Sequence, residues 1–318
     1  MDLGNFGARA LLTGAGLSKN WGGYLAGEIW GCLLSHPQIA NDATLRTILL
    51  RKTNFEDALA DLKRERREAA PFLGALRDVF DAHDRLLTST DMRRPSRFKF
   101  LTFLKRFKAT GTGYLFTLNQ DLLLEGLPHD DIHHERPHRP GIPYAQGAFT
   151  GRYRSPLLLD SEAQPPAVPA VVPPEGFSLA GHLNYIKLHG SVDWPGEGGM
   201  VVGGGKPELI AAHPLLSWYR DIFRQVCACS GLRLVVIGYS FNDAHINEII
   251  AKGVKDYGLR FYVVNPEEPA SLKARIAPAS LWDGIMGYSS RPLADLFAGD
   301  DMRDTPEIAR MTRDLFGS

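Results

Sequence analysis

The chain is short of the residues that staple or anchor a protein. Three cysteines in 318 residues, an odd number, argue against a disulfide framework and fit a reducing compartment. Cys227-Ala-Cys229 lacks the paired spacing of a structural zinc site, and Cys32 is far away in sequence. The three thiols therefore read as small buried hydrophobes, and neither structural zinc nor any other metal is expected. Long apolar runs are also missing. Ala10-Leu11-Leu12 meets a glycine motif at once, so the reading is of no secretory leader, no membrane span and a cytoplasmic protein. An excess of charge of one sign is absent too: 36 Lys and Arg face 36 Asp and Glu, which gives no whole-chain attraction to nucleic acid or to an anionic membrane. The densest basic stretch, Lys63-Arg64-Glu65-Arg66-Arg67, is interrupted by Glu65 and followed by Glu68 at helical spacing, and reads as a solvated helix face.

What is present is a succession of short apolar runs that end in glycine or polar residues. Residues 8–13 run into Gly14-Ala15-Gly16-Leu17-Ser18, after which Leu25, Ile29, Cys32 and Leu33 recur with helical period. Residues 113–119 regain strand composition and stop at Asn119-Gln120-Asp121. Residues 185–191 do the same and stop at His189-Gly190-Ser191. Leu232–Ile237 meets Gly238-Tyr239-Ser240 before a helical run from Asp243 to Lys255, and Leu259–Val264 ends at Asn265-Pro266. Strands alternating with helices predict an α/β fold with a parallel, doubly wound sheet. Two insertions interrupt it: a helical one over about 38–108, with Asn54 placed as an N-cap, and an irregular proline- and histidine-rich one over about 128–182. The expectation is a single domain spanning 1–318.

In open parallel sheets ligands bind beyond the carboxyl ends of the strands. Five such ends carry polar or glycine residues here: Gly14-Ala15-Gly16-x-Ser18, Thr117-x-Asn119-x-Asp121, His189-Gly190, Gly238-x-Ser240 and Asn265. They would converge on one crevice. Glycines at a strand-to-helix turn let backbone approach a pyrophosphate, and the next helix offers its N-terminal amides, although a tight turn alone would also explain Gly14 and Gly16. Asn119 and Asp121 suit ribose hydroxyls or a carboxamide, or else an Asx turn. His189 suits a general base, or else a core histidine bound to a carbonyl. Ser240 and Asn242 also read as helix caps, and His245 as structural. The cluster His129, His133, His134 and His138 sits in an irregular loop with no recognisable ligand spacing.

Gly14-Ala-Gly-Leu-Ser18, Thr117-Leu-Asn-Gln-Asp121, Lys187-Leu-His-Gly-Ser191 and Gly238-Tyr-Ser240 resemble, in order, the NAD-site motifs of sirtuins. Lys-Leu-His-Gly-Ser and Gly-Tyr-Ser-Phe-x-Asp-x-His-Ile-Asn are more closely similar to the sirtuin-like domains of bacterial anti-phage defence proteins. The resemblance implies a Rossmann-like fold without the zinc ribbon. It implies that Gly14, Ala15, Gly16 and Ser18 line the dinucleotide, with Thr117 in the same motif as Asn119 and Asp121, which hold the nicotinamide ribose and carboxamide. It further implies His189 as the base, Gly238 and Ser240 near phosphate and ribose, and Asn265 near the adenosine. With no four-cysteine module, it favours NAD hydrolysis to nicotinamide and ADP-ribose in a defence effector. NAD-dependent protein deacylation and a non-catalytic NAD or ADP-ribose module are the alternatives. The expected partners are NAD, further copies of the chain and a separately encoded ATPase or sensor; nucleic acid and membrane are not expected.

Overall fold

The computed structural model describes residues 2–65, 69–89, 95–108, 111–124, 138–142, 178–194, 199–298 and 304–317. The chain opens with β1 (Arg9–Thr13) and α1 (Ala15–Lys19), then builds helices α2 (Ala26–Ser35), α3 (Pro37–Ala40), α4 (Ala43–Leu50), α5 (Phe55–Arg64), α6 (Ala70–Ser89) and α7 (Pro95–Lys105), the last followed by a 3-10 turn at Arg106–Lys108. Next come β2 (Gly113–Thr117), β3 (Leu183–Lys187), α8 (Lys206–Ala212), α9 (Pro214–Cys227), β4 (Arg233–Ile237), α10 (Ala244–Tyr257) and β5 (Arg260–Val264). The chain continues through α11 (Pro269–Arg275), a 3-10 turn (Ala279–Gly284), β6 (Ile285–Ser289), α12 (Leu293–Leu296) and α13 (Pro306–Phe316).

Six parallel strands form one sheet in the order β3-β2-β1-β4-β5-β6. The fold is thus Rossmann-like, with its topological switch between β1 and β4. The apolar runs seen in the sequence are continuous because both sheet faces are covered, as parallel sheets require. Alternate residues serve opposite faces. Leu12, Phe116, Ile186, Val236 and Val263 pack on one side with Phe223 and Val226 of α9 and Ile246 and Ile250 of α10. Leu11, Leu115, Tyr185, Val235 and Tyr262 pack on the other with Phe100 and Phe103 of α7 and Met311 of α13. At roughly 1.5–3 kcal/mol for each large apolar side chain fully buried, these layers hold helices that would be marginal alone.

Helices α2 to α6 bury a third cluster of their own, including Leu33, Ile48, Leu59, Phe72 and Leu76, joined by Leu122, Val192 and Val202. Among the described residues the segment from Pro37 to Lys108 holds helices and turns, as its period demands. The Asn54 side chain caps α5, accepting from the Glu56 amide at 2.9 Å. Within the basic stretch Arg66 and Arg67 lie outside the described residues, as do His129, His133 and His134 and most of the 128–182 segment. His138 is described; its Nδ1 meets Asn184 Oδ1 at 3.2 Å and its ring packs on His182. The three thiols are unpaired, and burial pushes that of Cys227 up. Among the described residues no helix is long and apolar enough to cross a membrane.

Candidate functional site

The parallel ladder continues one residue past the strands. Leu118 donates to the Thr13 carbonyl, Leu188 to Thr117, Gly14 to Ile237, Gly238 to Val264 and Asn265 to Ser289, all at 2.8–3.0 Å. The loops that follow therefore start in register, side by side. They enclose a cavity of about 640 Å³ at the switch point, a size in the range of roughly 300–1,000 Å³ that small-molecule sites occupy. Gly14, Ala15 and Gly16, then Asn119 and Asp121, then His189, and finally Gly238, Ser240 and Asn265 all line it. Ser18 and Thr117 do not; they stand behind the wall and brace it.

Thr117 Oγ1 accepts from the Thr13 hydroxyl at 2.9 Å and from the Asn119 amide at 3.1 Å. Ser18 is fully buried, and its hydroxyl donates to Asp121 Oδ2 at 2.6 Å. That hydroxyl has one proton, so toward Asn119 Nδ2, 3.1 Å away, it acts as acceptor, which fixes the orientation of the Asn119 amide. Asp121 Oδ1 accepts from the Leu123 amide at 3.0 Å. Asp121 closes an Asx turn and also lines the cavity.

Close packing of two loops is a further reason for the glycines, beside ligand approach and a tight turn. Gly16 and Gly238 touch each other: the Gly16 amide donates to the Gly238 carbonyl at 2.9 Å, and a Cβ on Gly16 would stand 2.6 Å from Gly238 Cα. Gly238 has φ +62, in the left-handed region, and a Cβ there would lie 2.3 Å from the Leu17 amide nitrogen. The glycines serve backbone-to-backbone packing of two loops first. Gly16 lies within the five-residue α1, and the helical period of Leu25, Ile29, Cys32 and Leu33 belongs to α2 and its cap. The amides of Gly14, Gly16 and Leu17 are all taken by carbonyls. Among the described residues the Ala15 amide, at the first helical position, has no internal acceptor.

The Gly238–Asn247 motif owes much of its composition to internal bracing. Tyr239 Oη bonds Asn247 Oδ1 at 2.9 Å, and Asn247 Nδ2 donates to the carbonyls of Phe241 and Ala277 at 2.8 Å each. Phe241 sits at φ +57, a conformation costly for a residue with a side chain. The cap of α10 is Asp243 rather than Ser240 or Asn242, with no side-chain capping bond. Ser240 is exposed at the mouth, where its carbonyl accepts from Arg275 at 2.6 Å. Asn265 is a brace as well: Nδ2 donates to the Tyr239 carbonyl at 3.0 Å and Oδ1 accepts from the Glu267 amide at 2.9 Å.

His189 stands two residues beyond β3, next to Gly190 in the left-handed region at φ +74. It is 2% exposed, and its Nε2 lies 3.2 Å from Nε2 of His245. Burial, opposed by the Asp243 charge and helped by Lys206 and His245, pushes its pKa down to about 3. Burial thus favours the neutral imidazole, which can accept a proton but, with a pKa this far below neutrality, does so weakly.

Sequence reasoning missed the groups around it. Lys206, at the start of α8, bonds Asp243 Oδ1 at 2.8 Å and Glu56 Oε2 at 3.0 Å, and all three line the cavity. Burial raises the Asp243 carboxyl, but His189 and Lys206 outweigh it and hold it below its usual range. Burial raises Glu56, which Lys206 only partly offsets. His83 of α6 also lines the cavity; it accepts from the Tyr24 amide at 3.0 Å and stacks on the Tyr24 ring. At the mouth Arg275 forms a two-pronged ion pair with Glu267. Nothing in local sequence flags Glu56 or Lys206, which come from segments about 150 residues apart.

Residues 114–283, more than half of the chain, match the family model of the SIR2-like domain. The Gly14–Ser18 turn lies outside the matched segment, yet its backbone completes the wall that the segment begins. No curated protein matches the chain significantly.

Proposed function

Because the chain belongs to the SIR2-like domain family, we propose that it binds NAD in this cavity and cleaves the bond between nicotinamide and ribose, yielding nicotinamide and ADP-ribose. The observation that carries the reading is the meeting of Asn119, His189 and the Gly14–Gly16 turn in one cavity, although they come from three separate strand ends.

Cleavage builds positive charge on the ribose as nicotinamide departs, so the site must stabilise that charge and hold the leaving group in place. Asn119 Nδ2 is tied inward to Ser18, which leaves its Oδ1, a partial negative charge, for the ribose. Asp121 holds Ser18 and so fixes Asn119. His189, unprotonated, takes a proton from a ribose hydroxyl or an entering water; held well below neutrality, it is a weaker base than the neutral-pKa groups that contribute about 10²–10⁴-fold. The Ala15 amide offers a donor to phosphate. Ile29, Phe55 and Phe80, from the helices between β1 and β2, close the cavity on its apolar side and support a role for this region as a lid.

In this reading the protein is a cytoplasmic effector of anti-phage defence that acts by depleting NAD, as an oligomer or under control of a separately encoded ATPase or sensor. Incubation with NAD and chromatographic separation of products tests the chemistry. Nicotinamide release that is lost in both His189→Ala and Asn119→Ala is the expected result. Release that depends on an added acyl-lysine peptide would assign deacylation instead. Tight NAD binding without turnover under any condition would assign a binding module.

A further inference from the structure

His189 and His245 present their Nε2 atoms to each other at 3.2 Å. Two imidazole nitrogens bound to one ion through bonds of about 2.0–2.1 Å stand roughly 2.8–3.4 Å apart for bond angles between a right angle and the tetrahedral one. The observed separation falls in that interval. Asp243 adds a carboxylate, and the three potential ligand atoms all lie within 4.8 Å of one another, the one such group among the described residues. Their surroundings are mixed in charge. Lys206 occupies Asp243 Oδ1, but it is also paired with Glu56, so two carboxylates face one ammonium and the balance is anionic. One Asp243 carboxylate oxygen belongs to the group, and Lys206 competes with an ion for that carboxylate.

We propose that His189, His245 and Asp243 form a site for a first-row divalent metal ion of the zinc class, with its remaining position open toward the cavity. Two nitrogens and one oxygen suit zinc, cobalt or nickel, and are a poor match for magnesium or calcium, which take oxygen ligands. His189 and Asp243 line the large cavity, while His245 lines a second cleft beside Arg224 and Glu248. An ion can thus reach the ligands without unfolding either loop. A metal on His189 Nε2 occupies the lone pair that base chemistry needs, so ion and base exclude each other. That consequence rests on the NAD reading; the site itself does not.

Titration of the untagged, full-length chain with cobalt(II), followed by its visible bands and by zinc displacement, tests the site. One equivalent is expected, with nitrogen-ligand spectra. His245→Ala and His245→Gln should each weaken binding by more than the roughly ten- to hundredfold that loss of an outer-shell partner costs, since His245 is a direct ligand. Asp243→Asn should weaken it as well, and Lys206→Met should tighten it by releasing Asp243. A Cys32→Ser, Cys229→Ser double variant should bind as before. Unchanged affinity in both His245 variants, loss of the signal in the cysteine variant, or no stoichiometric binding would overturn the proposal. In a chain that releases nicotinamide, equimolar zinc should stop release, a chelator should restore it, and His245→Gln should resist zinc. A chain with no release refutes the NAD reading while the cobalt titration still decides the metal site.

Discussion

The Gly16 amide donates to the Gly238 carbonyl at 2.9 Å, a bond between residues 222 apart in the chain that joins the loops at two neighbouring strand ends. Each glycine is where the other's backbone passes, so neither has room for a methyl group. Gly238→Ala meets both a clash and a left-handed backbone, and should lower stability by roughly 2–4 kcal/mol, from overpacking plus the αL cost. Gly16→Ala should cost about 1–3 kcal/mol. Denaturant midpoints check this. Full stability with lost NAD affinity would mean that the glycines serve ligand approach rather than packing.

The Ser18–Asn119 pair separates binding from bracing. Ser18→Ala removes the acceptor that orients the Asn119 amide and strands a buried Asp121 oxygen, so it should cost about 1–3 kcal/mol in stability. If the proposed chemistry holds, it should also slow nicotinamide release without the total loss expected of Asn119→Ala. Initial rates at saturating NAD, beside a thermal melt, distinguish the two effects. Equal loss in both variants would place Ser18 in direct contact with substrate.

Acid should unfold the protein through its histidines. Burial holds His189 down to about 3 and His83 below its ordinary value, whereas unfolded histidines protonate near pH ~6.5. Between these values the unfolded chain binds more protons, so their contribution is complete above pH ~6.5 and is lost as the pH falls below it. The limiting slope is about 1.4 kcal/mol per pH unit for each such histidine. Urea midpoints measured across this window should fall with pH, and His83→Gln should flatten the fall. A pH-independent midpoint would show that neither histidine is buried in solution.

The Glu56–Lys206–Asp243 chain ties the helical region to the sheet. Lys206→Met leaves two carboxylates half-buried without a counter-charge, and breaking such a pair costs about 3–5 kcal/mol when buried, less here because both carboxylates keep some exposure. Glu56→Gln should cost less, because burial already raises the Glu56 pKa. A double-mutant cycle on melting temperature should show the two residues coupled. Strict additivity would mean that the contact is not formed.

Five of the six strands were legible because β1, β2, β4 and β5 are apolar runs punctuated by glycine or a polar residue, the pattern that double-sided burial writes into a sequence; β3, Leu183-Asn-Tyr-Ile-Lys187, carries a buried Asn184 and begins two residues before the stretch the sequence marked. β6 was not. Ile285-Met-Gly-Tyr-Ser289 is half-exposed along its length and carries a central glycine, so it gave neither an apolar run nor clean alternation. The strand-end groups of the candidate site were legible for the same reason as the strands, since the topology brings every carboxyl end to one edge. Glu56, His83 and Lys206 were hidden because their place in the cavity depends on how the helices between β1 and β2, and the segment after β3, pack over that edge. No local pattern encodes such packing. His245 read as structural from its place on the helix, and its contact with His189, beside the left-handed turn at Gly190, had no local signal.

The interlocked turns at residues 16 and 238 make the floor of the cavity a preassembled part, present before any ligand arrives and hard to deform. Control of access therefore falls to the roof, where Ile29, Phe55, Glu56, Phe80 and His83 belong to helices with a hydrophobic cluster of their own. Under the lid role proposed above, a shift of those helices would open or shut the chamber over the sheet.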